Sequence, residues 1–162
     1  MKHLRALLIC SVLAVTTGRP DAQSPSSSVM SSRGAFFALS VADRKASANW
    51  YREKLGLAVV MEDAGAGHPS VTVLEGGGLI VELIQNDAAM PLAQAAPAVR
   101  DRMLVHGLVK TGVIVDNFDE TLAAFRERHV DIAYGPFPAR PNQRANVIVR
   151  DNAGNMIQVF GR

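Results

Sequence analysis

The alternation of apolar and polar positions predicts a strand at residues 36–41, and a helix follows it. The helix is indicated by bulky side chains that recur at helical spacing, namely Trp50, Tyr51 and Leu55. Asp43 is placed to cap the first turn of this helix, and Gly56 is placed to end it. Three further strand-like runs follow, at residues 57–61, 70–74 and 79–84. The first half of the chain therefore has the order βαβββ.

The same order returns in the second half of the chain. Residues 110–115 predict a strand, and Asn117 is placed to cap a helix that carries Leu122, Phe125 and His129. The helix ends correspond closely, since Tyr51-Arg-Glu-Lys54 matches Phe125-Arg-Glu-Arg128. Three more strands are predicted at residues 131–134, 145–150 and 155–160. A repeat this complete predicts an α+β fold of two tandem βαβββ modules, residues 34–86 and 106–162.

Three segments lie outside the repeat. Residues 87–105 are rich in Ala and Pro and are predicted to be a linker, with one or two helical turns around residues 97–103. Residues 1–22 have a basic start, a short apolar run and small residues after it, which is typical of a secretory signal peptide. Because the run is about half the roughly 20 residues that span a membrane, cleavage is favoured over an uncleaved anchor. Residues 23–33 are Ser-rich and are expected to form a tether.

Much of the basic character of the chain belongs to the predicted signal peptide. Of the 17 basic and 15 acidic residues, Lys2, Arg5, Arg19 and Asp21 lie within residues 1–22, so the mature protein would have 14 of each. No basic stripe interleaved with aromatic residues remains, and this argues against a nucleic-acid partner. Cys10 is the only cysteine, so its removal would exclude disulfides and thiolate ligands. We expect a secreted or periplasmic protein without stable membrane insertion.

Two segments carry a resemblance to a known family. Leu39-Ser-Val-Ala-Asp-Arg-Lys-Ala-Ser-Ala-Asn-Trp-Tyr-Arg-Glu-Lys-Leu-Gly-Leu57 resembles the opening of glyoxalase, bleomycin-resistance and extradiol-dioxygenase proteins, the vicinal oxygen chelate (VOC) superfamily. Arg150-Asp-Asn-Ala-Gly-Asn-Met-Ile-Gln-Val159 resembles their closing strand–turn–strand, where a Pro usually follows the Asp and a Glu stands at the place of Gln158. The likeness covers residues 35–161. It implies a half-barrel-like mixed sheet with helices on its outer face, around a small-molecule site.

Strand alternation divides the side chains of each module between two faces. One face carries apolar side chains suited to packing under the helices, among them Leu39, Val81, Val113 and Val159. The other face is mostly apolar but includes the polar residues Glu82, Lys110 and Gln158. We predict that this second face binds a small organic ligand through Phe36, Ser40, Glu82, Lys110, Ile114, Gln158 and Phe160.

The resemblance also implies where a metal would be held. Metal-using members of the superfamily place four His, Glu or Gln ligands at positions that correspond here to Phe36, Glu82, Lys110 and Gln158. Phe36 has no ligand atom and Lys110 is a cation, which leaves two oxygen donors where a catalytic site generally needs three ligands. Among the histidines, His3 belongs to the signal peptide, and His68, His106 and His129 are not placed to replace these donors. We therefore expect neither a metal nor another cofactor.

Glu82 is the residue of this face that most needs explanation. It stands between Val81 and Leu83 on an apolar strand, where a carboxylate is costly unless it is paired or faces a wet cavity. We expect Lys110 to pair with Glu82 in place of a metal. Glu82 is also the candidate catalytic residue, either as a metal ligand or as a general base.

Three functions are compatible with these features. The favoured one is metal-independent binding of a small organic ligand in a cavity between the modules. The alternatives are a lyase, isomerase or dioxygenase that uses Glu82, and an interaction module whose cavity is filled by its own side chains. We also expect a homodimer, because each module leaves an exposed sheet edge and two-fold pairing is the commonest assembly.

Overall fold

The computed structural model of the protein describes residues 34–162; the predicted signal peptide and Ser-rich tether lie outside this range. The strands are β1 (Ala35–Ser40), β2 (Ala58–Asp63), β3 (Ser70–Gly76), β4 (Leu79–Gln85), β5 (Lys110–Val115), β6 (Asp131–Phe137), β7 (Asn146–Arg150) and β8 (Met156–Gly161). The α-helices are α1 (Arg44–Trp50), α2 (Leu92–Ala95) and α3 (Phe118–Glu127). None of the helices within this range combines the length and the apolar character needed to cross a membrane.

The strands form two four-stranded mixed sheets, one for each module. Sheet 1 has the order β1-β4-β3-β2 and sheet 2 has the order β5-β8-β7-β6. The first strand of each module pairs in parallel with the last, and the remaining pairs are antiparallel. The predicted α+β class with two tandem βαβββ modules is thereby confirmed. Across residues 34–162 no strand of sheet 1 is hydrogen-bonded to a strand of sheet 2.

The first helix begins and ends where the sequence predicts. Asp43 caps α1 by accepting a hydrogen bond from the backbone N–H of Ala46 at 2.9 Å. After Trp50 the helix widens into a π-helical turn, Tyr51–Leu55, which ends at Gly56 with a φ of 75°. A side chain is strained in this left-handed conformation, so glycine fits the position. The π-helical turn itself has no signal in the sequence.

Two of the expected local features differ in the structure. Asn117 precedes α3, but its side chain does not cap the backbone; it accepts from the Thr121 hydroxyl and donates to Glu120 instead. In the linker, α2 lies before the predicted residues 97–103, and a short 3₁₀ turn, Arg102–Leu104, overlaps only their end. Pro97 explains part of this shift, because a proline disfavours helix in the residue before it.

Both modules contribute to one hydrophobic core beneath the helices. Most of the side chains expected on the helix-covered faces are buried, among them Leu39, Val81 and Leu83 of sheet 1 and Ile157 and Val159 of sheet 2, whereas Val113 is half-buried against this core. α1 and its π-helical turn add Ala48 and Tyr51, and α3 adds Leu122 and Phe125. The opposite face of each sheet, which carries the predicted site residues, is called its open face below.

A reciprocal pair of hydrogen bonds joins the two modules. Lys54 and Arg128 are 74 positions apart, and each donates a side-chain hydrogen bond to the backbone carbonyl of the other. The two bonds therefore connect the C-terminal end of the first helical segment to that of α3, at equivalent positions of the repeat. The sequence match of Tyr51-Arg-Glu-Lys54 with Phe125-Arg-Glu-Arg128 corresponds to this contact.

Candidate functional site

The open face of sheet 1 is centred on Glu82. In the strand register Glu82 lies beside Ala38 of β1 and Val73 of β3, so its nearest neighbours across the sheet are small or apolar. The Glu82 side chain is half-buried, and within the described chain it makes no hydrogen bond or ion pair. Phe36 and Ser40 lie one pleat away on either side, and both are exposed. A carboxylate held in apolar surroundings and open to one side is available to a ligand.

The open face of sheet 2 is centred on Gln158. Gln158 lies beside Gly112 of β5, and its Nε2 donates to Asn146 Oδ1 at 2.9 Å. Asn146 is buried and is itself fixed by a bond from its Nδ2 to the Arg144 carbonyl oxygen. This fixed acceptor orients the Gln158 amide. Gly112 is required beside it, because a Cβ there would lie 2.9 Å from the Gln158 carbonyl oxygen.

Apolar and aromatic side chains surround Gln158. Ile114 pairs directly with Phe160 at one end of the face, while Lys110 lies at the other end beside Met156. Tyr134, from β6, is in the same cross-strand row as Gln158 and is 54% exposed. Sheet 2 therefore brings Lys110, Ile114, Gln158 and Phe160 together, and sheet 1 brings Phe36, Ser40 and Glu82 together.

The ion pair expected between Glu82 and Lys110 is not formed. The ion pairs among residues 34–162 join Arg44 to Glu62, His68 to Asp63, Arg150 to Asp131, and Arg162 to Asp116. Lys110 is exposed at the start of β5, on a different sheet from Glu82. Strand parity gave both residues the correct face, but it carries no information on how the two sheets are placed. The prediction of a pair within the chain was therefore wrong.

The residues at the expected metal positions do not fit a metal ion. Glu82 supplies one carboxylate and Gln158 supplies one amide oxygen, but the two lie on different sheets. Phe36 has no donor atom and Lys110 is a cation, so the set falls short of three ligands. The histidines do not extend this set, since His68, His106 and His129 are all exposed. Within residues 34–162 no group of three His, Cys, Asp or Glu side chains is arranged to hold a metal.

Sequence reasoning missed a buried polar cluster between the modules. The carboxylate of Asp151 accepts hydrogen bonds from the Tyr51 hydroxyl at 2.9 Å, from the backbone of Ala153 and Asn155, and from Asn155 Nδ2. Burial, together with the charge and hydrogen bond of Asp151, raises the pKa of Tyr51 well above its usual value. Asp151 was predicted only as a turn residue, and its partner lies 100 positions away.

A family model now identifies this arrangement. The model of the Glyoxalase/Bleomycin resistance protein/Dioxygenase superfamily matches residues 35–159. The chain belongs to this superfamily. Its two modules, their strand order and the parallel pairing of first and last strands agree with the VOC fold that the sequence resemblance implied.

Solved structures of superfamily members share the fold at low sequence identity. A glyoxalase family protein from Enterococcus faecalis is 17% identical, with a TM-score of 0.60, over 82% of this chain and 98% of that one. TnmS3, an antibiotic binding protein from Streptomyces sp. CB03234, is 18% identical, with a TM-score of 0.55, over 80% and 95%. Lactoylglutathione lyase from Agrobacterium tumefaciens is 22% identical, with a TM-score of 0.50, over 85% and 96%. None of the curated proteins compared with the sequence matches it.

Proposed function

We propose that this protein is exported and binds a small organic molecule on the open faces of its sheets, without a metal ion. The observation that carries the proposal is the composition of those faces. Apolar and aromatic surface surrounds Glu82 and Gln158, whereas Phe36 and Lys110 stand where metal-using relatives place ligands. A mostly apolar surface with a few polar groups is typical of small-molecule sites. A relative described as an antibiotic binding protein has the same fold and supports the same function class.

The polar groups divide the recognition between the two sheets. The Glu82 carboxylate would accept a hydrogen bond from a hydroxyl or cationic group of the ligand. The oriented Gln158 amide retains its oxygen as an acceptor, because only its nitrogen is used by Asn146. The exposed ammonium group of Lys110 would meet an acidic group. The surrounding aromatic rings, such as Phe36 and Tyr134, offer stacking surfaces for a flat molecule.

A thermal-shift and calorimetric titration tests this function directly. We would screen aromatic antibiotics, with metal-free bleomycin among them, against the full chain in buffer that contains a chelator. At least one compound should stabilise the protein, and Glu82→Gln should weaken its binding about tenfold, because a charge-assisted hydrogen bond is lost. Glu127→Gln, at an exposed position of α3, is the matched control and should bind normally. Equal binding by both variants would contradict a role for Glu82.

We further propose that a second copy of the chain completes the site. The open faces expose large apolar side chains, with Phe36 67% and Ile114 59% exposed. Surface of this kind favours association, and a two-fold pair would cover both faces at once. Light scattering at micromolar concentration should give a dimer mass for the native chain and for Leu104→Glu in the exposed linker. Ile114→Glu should give a monomer, and a native monomer would refute the proposal.

Export remains a proposal based on residues 1–22, which lie outside the described range. The basic start and short apolar run are typical of a cleaved signal peptide. Intact-mass analysis of protein recovered from its native host should show that Met1 and the apolar run have been removed. A chain that retains Met1 in a cytosolic fraction would contradict export.

Glu82 also favours one alternative function. Its half-buried carboxylate makes no bond to the described protein, so it is free to act as a general base in a lyase or isomerase. A relative described as lactoylglutathione lyase has the same fold. Turnover of the hemithioacetal of methylglyoxal and glutathione, abolished in Glu82→Gln and retained in Glu127→Gln, would establish this alternative.

A further inference from the structure

The internal repeat creates two equivalent contacts between the modules, and the first of them is filled by side chains. There the turn between β7 and β8 packs on α1. Asp151 accepts from the Tyr51 hydroxyl at 2.9 Å, and Asn152 Nδ2 donates to Ser47 Oγ at 3.3 Å. Tyr51, Ser47 and Asp151 are all buried. The turn and the helix therefore close this contact with a hydrogen-bonded polar cluster.

The second contact, between the turn after β3 and α3, lacks those side chains. The strand registers place Gly76 at the position of Asp151 and Gly77 at that of Asn152. The helix offset of the repeat places Thr121 at the position of Ser47 and Phe125 at that of Tyr51. Glycine supplies no amide to bond Thr121, and phenylalanine supplies no hydroxyl. A cleft of about 430 Å³ remains here between the modules. Its lining includes Leu57, Leu79, Val113, Val159, Thr121 and Phe125.

The lining of the cleft is mostly apolar, with polar residues along one side. Its polar members are Asp116, Asn117 and Thr121, at the start of α3. The Thr121 hydroxyl donates to Asn117 Oδ1 at 3.3 Å, so the lone pairs of its oxygen remain able to accept a hydrogen bond. The carboxylate of Asp116 is 78% exposed and pairs with Arg162 at 3.1 Å, so the preference against an anion comes from the apolar lining, where a charge would lose its hydration. Apolar cavities that water fills poorly bind small apolar molecules.

We propose that this intermodule cleft is a second ligand site, for a small and mainly apolar organic molecule with a neutral hydrogen-bond donor. The ligand takes the place that side chains occupy in the first contact. Its donor bonds Thr121 Oγ1 as the Asn152 amide bonds Ser47, and its apolar body packs against Phe125 and Leu57. The body of the cleft lies on the opposite side of sheet 2 from Gln158, because Val113 and Val159 point away from the open face. Ile114, between Val113 and Val115 on β5, is the one open-face residue that also lines the cleft.

An NMR titration of the full chain with tryptophol tests the site. Tryptophol combines a flat apolar ring system with one neutral hydroxyl group. We expect saturable 1:1 binding, with amide shifts at Gly77, Val115 and Thr121 and none at Glu82 or Tyr134, which lie on the open faces outside the cleft lining. Indole-3-propionate, which replaces the hydroxyl group by a carboxylate, should bind at least tenfold more weakly, because the carboxylate offers no donor to Thr121 Oγ1 and would lose its hydration against the apolar lining. No saturable shift with tryptophol, shifts confined to the open faces, or equal binding of the anion would overturn the proposal.

Paired threonine variants test the predicted hydrogen bond. Thr121→Val keeps the volume of the side chain but removes its acceptor, and should weaken tryptophol binding about fivefold. Thr111→Val makes the same change on β5, outside the cleft lining, and should leave the affinity unchanged. Thermal melting monitors folding of both variants, and the NMR map of the native chain locates binding independently of them. Equal affinities for the two folded variants would refute the assigned role of Thr121.

Discussion

Tyr51→Phe tests the polar cluster that joins the two modules. The substitution removes one hydroxyl group from a fully buried side chain and leaves the aromatic ring in the core. Asp151 loses the bond at 2.9 Å from that hydroxyl but keeps its bonds from the turn residues Ala153 and Asn155. The loss therefore resembles that of one hydrogen bond to a charged group rather than that of an unpaired buried charge.

The expected cost follows from that comparison. A hydrogen bond to a charged group contributes about 1.5–3 kcal/mol to the free energy of unfolding. No large cavity is left, so no further packing loss is expected. Urea unfolding followed by circular dichroism should show a lower midpoint for Tyr51→Phe with an unchanged m value.

The second tyrosine of the chain provides the control. Tyr134 is 54% exposed, so Tyr134→Phe should change the free energy of unfolding by no more than about 0.5 kcal/mol. If Tyr51→Phe is as stable as Tyr134→Phe, the Tyr51–Asp151 bond does not stabilise the contact between the modules, and the reasoning fails.

Three further predictions concern the pH dependence of stability and the residues Arg44 and Gly112. The pKa of Tyr51 is higher in the folded state than its unfolded value of 10.0, so the free energy of unfolding should be unaffected below pH 10 and should fall as pH rises above it. In urea titrations from pH 9 to 11, the free energy of unfolding should fall less for Tyr51→Phe than for the native chain. Arg44→Met should lower the free energy of unfolding in urea by about 1–3 kcal/mol, because the buried Arg44 guanidinium group donates to Thr72 and to the Val71 carbonyl oxygen. Lys45→Met, at an exposed position, should leave it unchanged. Gly112→Ala should cost about 1–3 kcal/mol by the same assay, since its Cβ would force β5 away from β8; unchanged stability would contradict that close approach.

The sequence predicted the architecture because the relevant signals are local. Alternation assigned Leu39, Val81 and Val159 to the buried faces, and the structure buries all three. Asp43 and Gly56 mark the ends of the first helical segment, because capping and left-handed backbone each depend on a few neighbouring residues. Repetition of the pattern then gave the two modules.

The contacts between modules could not be predicted in the same way. The alternation of side chains along each strand placed Glu82 and Lys110 on equivalent faces. The distance between them depends on how the two sheets pack together, and no strand pairing joins the sheets to fix it. The bond from Tyr51 to Asp151 spans 100 positions and depends on the same docking. The prediction for Asn117 failed on a smaller scale. Asparagine is a common capping residue, but the Asn117 side chain bonds Thr121 and Glu120 rather than the backbone of α3.

The proposed metal-independent binding on the open faces is tested most directly by one affinity measurement under two conditions. A compound found in the antibiotic screen would be titrated by calorimetry into the native chain, first with a chelator and then with Zn²⁺, Mn²⁺ or Ni²⁺ added. We predict the same dissociation constant in both, because Phe36 and Lys110 supply no ligand beside Glu82 and Gln158. Binding that appears only with the metal, and that Glu82→Gln abolishes, would contradict the account.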